Sequence, residues 1–264
     1  MNTLERDIVK LLIDLRKNHG AVGIKTEFEC EGIHLDEFSR LKELTMLAEL
    51  PITLKIGGCE AITGINYGKT IGVSHIVAPM IESAFAVTKF VSAINKCYSK
   101  DELEELTSEI NVETITGHDN FEKILELEEY KQLGGVVIGR VDMTHSMGLS
   151  DKDIDSDELF SVCRDIFCAS KKKYPDKSCT MGGVKNFKVL SFIKKFPVNT
   201  IDKIEQRKVI FALAGLTDKQ LREGILKGLQ YEIMWYTNKK NYYNKIADED
   251  SGYLASIEEV YKNL

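Results

Sequence analysis

A (β/α)8 barrel of the TIM type, with a helix before its first strand and a long helix after its last, is the fold class the sequence predicts. Short apolar strand-like runs alternate with amphipathic helical stretches from Ala21 onward, and charged residues or glycines follow most of those runs. The length of 264 residues suits one barrel, and with four prolines and no Ser/Gly/Pro-rich linker the expectation is a single domain over residues 1–264. An open doubly wound sheet is the architectural alternative.

The elements follow in order. MNTLERDIVKLLIDLRKNHG places Ile8, Leu11, Leu12 and Leu15 on one helical face among charges, so it reads as an amphipathic helix rather than a secretory signal. AVGIKTEFECEG is the first strand and its exit, and HLDEFSRLKELTMLAEL has the three-to-four spacing of a helix. PITLKIGG, SHIVAPM, SEINVETI and GGVVIGRVD repeat the strand pattern, each followed by a helical stretch, the last of them capped by Ser156. KSCTMGG and TIDKIEQRKVIFAL supply further strand candidates, separated by KNFKVLSFIKKF. Seven strands are distinct, and the eighth is expected at the start of the chain or near residues 201–214. Asp218 to Ile246 forms the terminal helix, with Leu221, Ile225, Leu229 and Ile233 four apart. Its aromatics Trp235, Tyr236, Tyr242 and Tyr243 suit the barrel bottom and a second subunit equally well, and a homo-oligomer is expected.

A net charge of −6 gives no general attraction to nucleic-acid phosphates or anionic lipid, and no apolar run reaches the length of a membrane span. A cytoplasmic protein binding neither nucleic acid nor membrane is expected. The six cysteines show no CxxC pair and no zinc rhythm, so they read as reduced thiols.

In a parallel barrel the polar residues that follow each strand converge on one mouth. Lys25, Glu27, Glu29, Lys55, Glu60, Glu82, Glu113, Arg140, Asp142, Glu205 and Arg207 occupy such positions. Glu113 and Asp142 close consecutive strands, about 5 Å apart, and so can approach one hard cation, magnesium or manganese rather than zinc. A bland alternative is that Glu113 pairs with Arg140 or Lys55. Lys25, Lys55, Arg140 and Arg207 would hold a substrate carboxylate or phosphate. Gly182 and Gly183, like Gly57 and Gly58, leave room for a ligand at the backbone, without a P-loop or dinucleotide fingerprint. Glu27, Glu29 and Lys55 are the candidate catalytic groups, with His145 as the best-placed histidine for proton transfer; Glu82 joins the substrate-binding set.

The segments VSHIVAPMIESAFAV, INVETITGHDNF and GGVVIGRVDMTHSMGLS, in that order, resemble the HpcH/HpaI aldolase/citrate lyase family, over roughly residues 22–150. The resemblance implies a phosphoenolpyruvate/pyruvate-type barrel with a divalent metal on Glu113 and Asp142, and carbon–carbon lyase chemistry through an enolate of a small 2-oxo acid or acyl thioester. It also implies pairing through the terminal helix. Two departures stand out: Lys55 takes the place of an arginine, and Glu27 to Glu31 lack the family's loop histidine. A phosphoryl- or acyl-transferring enzyme on the same barrel, acting on a phosphorylated acid, and a non-enzymatic binding protein are the alternative readings.

Overall fold

The computed structural model describes residues 1–263, and eight strands close into one barrel in the order β1 to β8. Helix α1 (Thr3–His19) begins with a capping box in which Asn2 and Glu5 satisfy each other's backbone N–H groups, and it ends on Gly20, whose left-handed φ of 70° turns the chain into β1 (Ala21–Glu27). Then come α2 (Leu35–Leu47), β2 (Ile52–Lys55), α3 (Ile62–Ile71), β3 (His75–Ala78), α4 (Ala84–Cys97) and β4 (Thr107–Val112). Two short helices, α5 (Ile115–Asp119) and α6 (Phe121–Leu125), precede β5 (Gly135–Ile138), and α7 (Arg140–Ser146) and α8 (Asp157–Lys173) precede β6 (Ser178–Met181). The chain closes with α9 (Val189–Ile193), β7 (Lys203–Gln206), β8 (Val209–Ala212) and α10 (Asp218–Lys262).

Strands β1 to β7 are mutually parallel along their sequential pairings. The eighth strand runs the other way, antiparallel to both β7 and β1. It is the second arm of a hairpin whose two-residue turn is Arg207-Lys208, and Arg207 takes the left-handed φ of 41° that such a turn needs. Because β8 descends, α10 starts beneath the barrel and climbs its outer wall. It packs antiparallel on α1, with Gln220 O facing the His19 ring at 3.1 Å and Asn238 accepting from Asn2 at 2.8 Å near the upper end. Gly228 allows close approach here, since a Cβ at that position would collide with the Gln206 amide.

The helix continues to Lys262, past the expected Ile246, and its distal half stands clear of the barrel with Tyr253, Ile257 and Tyr261 exposed. Trp235 is buried against the upper wall, not at the barrel bottom. Among the described residues no helix is long and apolar enough to cross a membrane.

The outward faces of the strands are apolar and buried by the helices, as with Ile24, Leu54, Ile76, Ile110, Val136 and Ile138. The lumen is filled differently. Lys25 of β1 donates to Glu205 of β7 at 2.7 Å, Lys203 of β7 lies 3.7 Å from Glu109 of β4, and Lys55 of β2 lies 3.2 Å from Glu113 just beyond β4. None of these pairs joins neighbouring strands, so each crosses the interior. Removing one partner from such a buried pair strands a charge, whereas replacing both with apolar groups does not. Lys25→Met is therefore expected to lower unfolding stability by about 3 kcal/mol, and Lys25→Met with Glu205→Leu to recover most of that loss, as read by urea denaturation.

Candidate active site

The strand ends open into a cavity of about 860 Å³ at the upper face. Of the residues expected there, Lys25, Glu27, Glu29, Lys55, Glu113, Asp142, Gly182, Gly183, Glu205 and Arg207 all line it. Asn111 lines it too. Asn111 was not among the expected residues, although side chains two apart on β4 share a face and so Glu109, Asn111 and Glu113 had to point the same way.

Glu113 is the most constrained group in the mouth. It is 1% exposed, and its Oε1 accepts from the backbone N–H of Met80 at 3.1 Å and lies 3.2 Å from the Lys55 ammonium. Its Oε2 accepts from Asn111 Nδ2 at 2.6 Å and from Lys55 at 3.3 Å. Burial pushes its carboxyl above the usual glutamate range against the pull of Lys55 and the Met80 N–H, and the like charge of Asp142 adds to the rise. Gly139 leaves the space this carboxylate occupies, since a Cβ there would collide with it. Lys55 is also 3.9 Å from Glu27, so one ammonium bridges two carboxylates across the mouth. Burial alone would lower the pKa of the Lys25 ammonium; Glu205 first, then Glu27 and Glu113, outweigh it and hold that pKa above the ordinary lysine value.

This arrangement overturns the expected magnesium or manganese ion on Glu113 and Asp142. Both Glu113 oxygens are occupied by protein donors, one of them a cation. Among the described residues no group of three or more His, Cys, Asp or Glu side chains is gathered to hold a metal. The residues do not fit the ion, because the Glu113 carboxylate is already paired with the Lys55 ammonium.

Four expected residues lie elsewhere; Glu60, just before α3, pairs with Lys89 at 2.6 Å outside the cavity lining. Arg140 opens α7 and turns beneath the mouth, donating to Gly182 O and Gly183 O at 3.0 Å, to Ile154 O at 3.1 Å and to Asp155 at 2.9 Å, with Phe192 stacked 5.0 Å away. It is 1% exposed and braces the glycine loop from below. His145 sits on the outer face of α7, bonded to the exposed Asp151 at 2.7 Å. Glu82 is half-buried at the α4 entrance, outside the cavity lining. The pairing of Glu113 with Lys55, one of the two simple ion pairs considered for it, is present; a pair with Arg140 is not.

The rim is tied by ion pairs whose other members, Lys208, Glu31 and Glu232, the strand pattern did not single out. Lys208 donates to Glu31 at 2.6 Å and stacks 5.3 Å from the Tyr236 ring, while Arg207 pairs with Glu232 at 2.7 Å. The hairpin turn is thereby fastened to the loop after β1 and to α10, and Arg207 is already paired. A second cavity, of about 520 Å³, lies outside the barrel between α1, α2 and α10. Its buried carboxylates are satisfied, Glu5 by Asn2 and Asn238 and Glu37 by Lys239 and Tyr243, so it reads as an inter-helix groove.

The Glu113 environment has a measurable signature. Carbon-13 titration of its carboxyl is expected to give a midpoint above 4.5, and Asp142→Asn to move that midpoint down by removing a like charge. An unchanged midpoint in the variant would show that Asp142 does not act on Glu113.

A profile of the HpcH/HpaI aldolase/citrate lyase family matches residues 55–176. No curated protein matches the chain. Among solved structures, the citrate synthase SbnG is similar at 15% identity and a TM-score of 0.57, over 89% of this chain and 91% of that one. An HpcH/HpaI aldolase/citrate lyase family protein from Burkholderia cenocepacia J2315 is similar at 13% identity and 0.55, over 70% and 88%. Macrophomate synthase is similar at 13% and 0.55, over 76% and 82%. At these identities the likeness is one of fold. The family profile covers the part of the chain that carries Lys55, Glu113 and Asp142, and the closed barrel around them is the fold that the chain shares with these structures.

Proposed function

We propose that this protein is a carbon–carbon lyase of aldolase type that works through the enolate of a small 2-oxo acid, with Lys55 as its electrostatic centre. The observation that carries the reading is the bridged position of Lys55, between Glu113 at 3.2 Å and Glu27 at 3.9 Å at the foot of the mouth. A fixed ammonium in a partly dehydrated site stabilises negative charge that develops on a carbonyl oxygen. Glu113 orients Lys55, and Met80 and Asn111 in turn hold Glu113.

Glu27 is assigned the proton. In the cleavage direction it takes the proton of the substrate hydroxyl as the adjacent carbon–carbon bond breaks, and the bonding pair passes into the enolate. The same proton then returns to the enolate carbon, so the carboxylate is regenerated. The carboxylate of the oxo acid faces Lys25 and Lys55. Lys25 and Lys55 are 16% and 15% exposed, so a ligand can reach both.

Enolate formation can be read without knowing the second fragment. The protein is expected to accelerate exchange of the pyruvate methyl protons with deuterium oxide, followed by proton NMR. Lys55→Met is expected to slow that exchange by at least about 100-fold with the fold retained. Exchange at the wild-type rate in Lys55→Met would reject the assignment.

The exposed Tyr253, Ile257 and Tyr261 on the distal half of α10 support a further reading, that the single barrel domain assembles as a homo-oligomer through this helix. Sedimentation of the full chain is expected to show a species larger than the monomer at micromolar concentration, and a monomer alone would reject it.

A further inference from the structure

We infer that Met80 is a positioning residue that acts through its backbone. The left-handed turn it takes at the exit of β3 aims its N–H at Glu113, and the readiness of residue 80 for that turn, not its side chain, keeps the Lys55–Glu113 pair in place. Among the described residues Glu49, Met80, Asn199 and Arg207 are the non-glycine positions with positive φ, and of these only Met80 donates its backbone N–H to a side chain. Its φ is 50°, a region that a bulky side chain rarely enters and that persists only where the surroundings impose it.

The methionine side chain does not impose it. It is 50% exposed at the cavity edge and takes no part in the buried core. The backbone is clamped instead. Met80 N–H donates to Glu113 Oε1 at 3.1 Å, and the next N–H, of Ile81, donates to Asn111 O at 3.0 Å. Pro79 precedes the turn with its φ fixed by the ring. Ile81 is fully buried, and α5 packs so closely on it that a Cβ at Gly117 would meet the Ile81 carbonyl at 2.9 Å.

The donor matters to Glu113. Its Oε2 accepts from Asn111 and Lys55, whereas Oε1 has the Met80 N–H and the Lys55 ammonium. A carboxylate 1% exposed is held as an ion by such donors, and the loss of one leaves buried acceptor capacity unmet. Without the Met80 N–H, Oε1 depends on Lys55, and the ammonium is drawn away from its place between Glu113 and Glu27. The effect on turnover rests on the function proposed above; the role of the turn in holding Glu113 does not.

Four substitutions in the full chain separate backbone from side chain. Met80→Gly and Met80→Asn enter the left-handed region readily, although one adds no side chain and the other a polar one. Met80→Val and Met80→Thr are β-branched and resist it, although one is apolar and the other polar. The amide proton of residue 80, read by proton–nitrogen NMR and corrected for residue type, is expected downfield in Met80→Gly and Met80→Asn and upfield in Met80→Val and Met80→Thr. The kcat of pyruvate methyl-proton exchange is expected to be at least about 10-fold lower in the β-branched pair than in the other pair, with little change in KM.

Grouping of the four by polarity or size, exchange equal in all four, or amide positions alike in all four would each overturn the inference. If the β-branched variants do not fold, the amide in Met80→Gly and Met80→Asn decides it, and an upfield position in both overturns it. Absence of exchange in the wild-type protein would reject the lyase reading and leave the amide positions to decide the role of the turn. Exchange in the wild-type protein with amide positions alike would remove this inference and leave the lyase reading intact.

Discussion

Everything at the mouth depends on the ion pair between Lys55 and Glu113, which spans the lumen over the top of β3. A barrel interior is ordinarily filled by layers of branched apolar side chains. Here three Lys–Glu pairs cross it. Two charges can be withdrawn from water only if each finds its partner and its hydrogen bonds, and Glu113 does so by recruiting Met80, Asn111 and Lys55 at once. Space for this comes from residues without bulk, above all Gly139, whose missing Cβ admits the carboxylate. The same pair settles what the site can hold. A lysine placed on the carboxylate does the work of a counter-ion, and the proposed chemistry of the mouth centres on this ammonium.

The buried pairs also link stability to function. Lys25, Lys55 and Glu113 are at once the packing of the upper barrel and part of the cavity lining, and Lys25 is held charged against its burial by Glu205, Glu27 and Glu113. Arg140 shows how near-identical sequence positions diverge. It follows β5 as Lys55 ends β2, yet the helix that starts on it turns its side chain downward into four hydrogen bonds, and it becomes a brace.

Much of the barrel was legible because strand-to-helix alternation is written in period and polarity, and the strand-end rule brought eight of its eleven charged residues to one cavity. The missing eighth strand shows the limit. Its turn, Arg207-Lys208, has neither Gly nor Asn, so TIDKIEQRKVIFAL looked like one run rather than two arms of a hairpin. The direction of β8 was hidden with it, and so was the climb of α10 that carries Glu232 and Tyr236 to the rim. The metal expectation failed for a related reason. Two carboxylates on consecutive strand ends look like a cation site in one dimension, but in space the Glu113 carboxylate is taken up by Lys55, 58 residues away along the chain.

The reversed last strand divides the mouth into two kinds of ground for change. Around most of the circle the strands exit into loops that lead to helices, and such loops can lengthen or shorten without disturbing the wall. On the β7–β8 side the exit is a two-residue turn in a left-handed conformation, pinned on one flank to Glu31 and on the other to Glu232. An inserted residue there would shift the pairing of both hairpin arms and unfasten α10. New specificities on this scaffold are therefore confined to the sector opposite the hairpin, and the hairpin acts as the fixed jaw against which they are shaped.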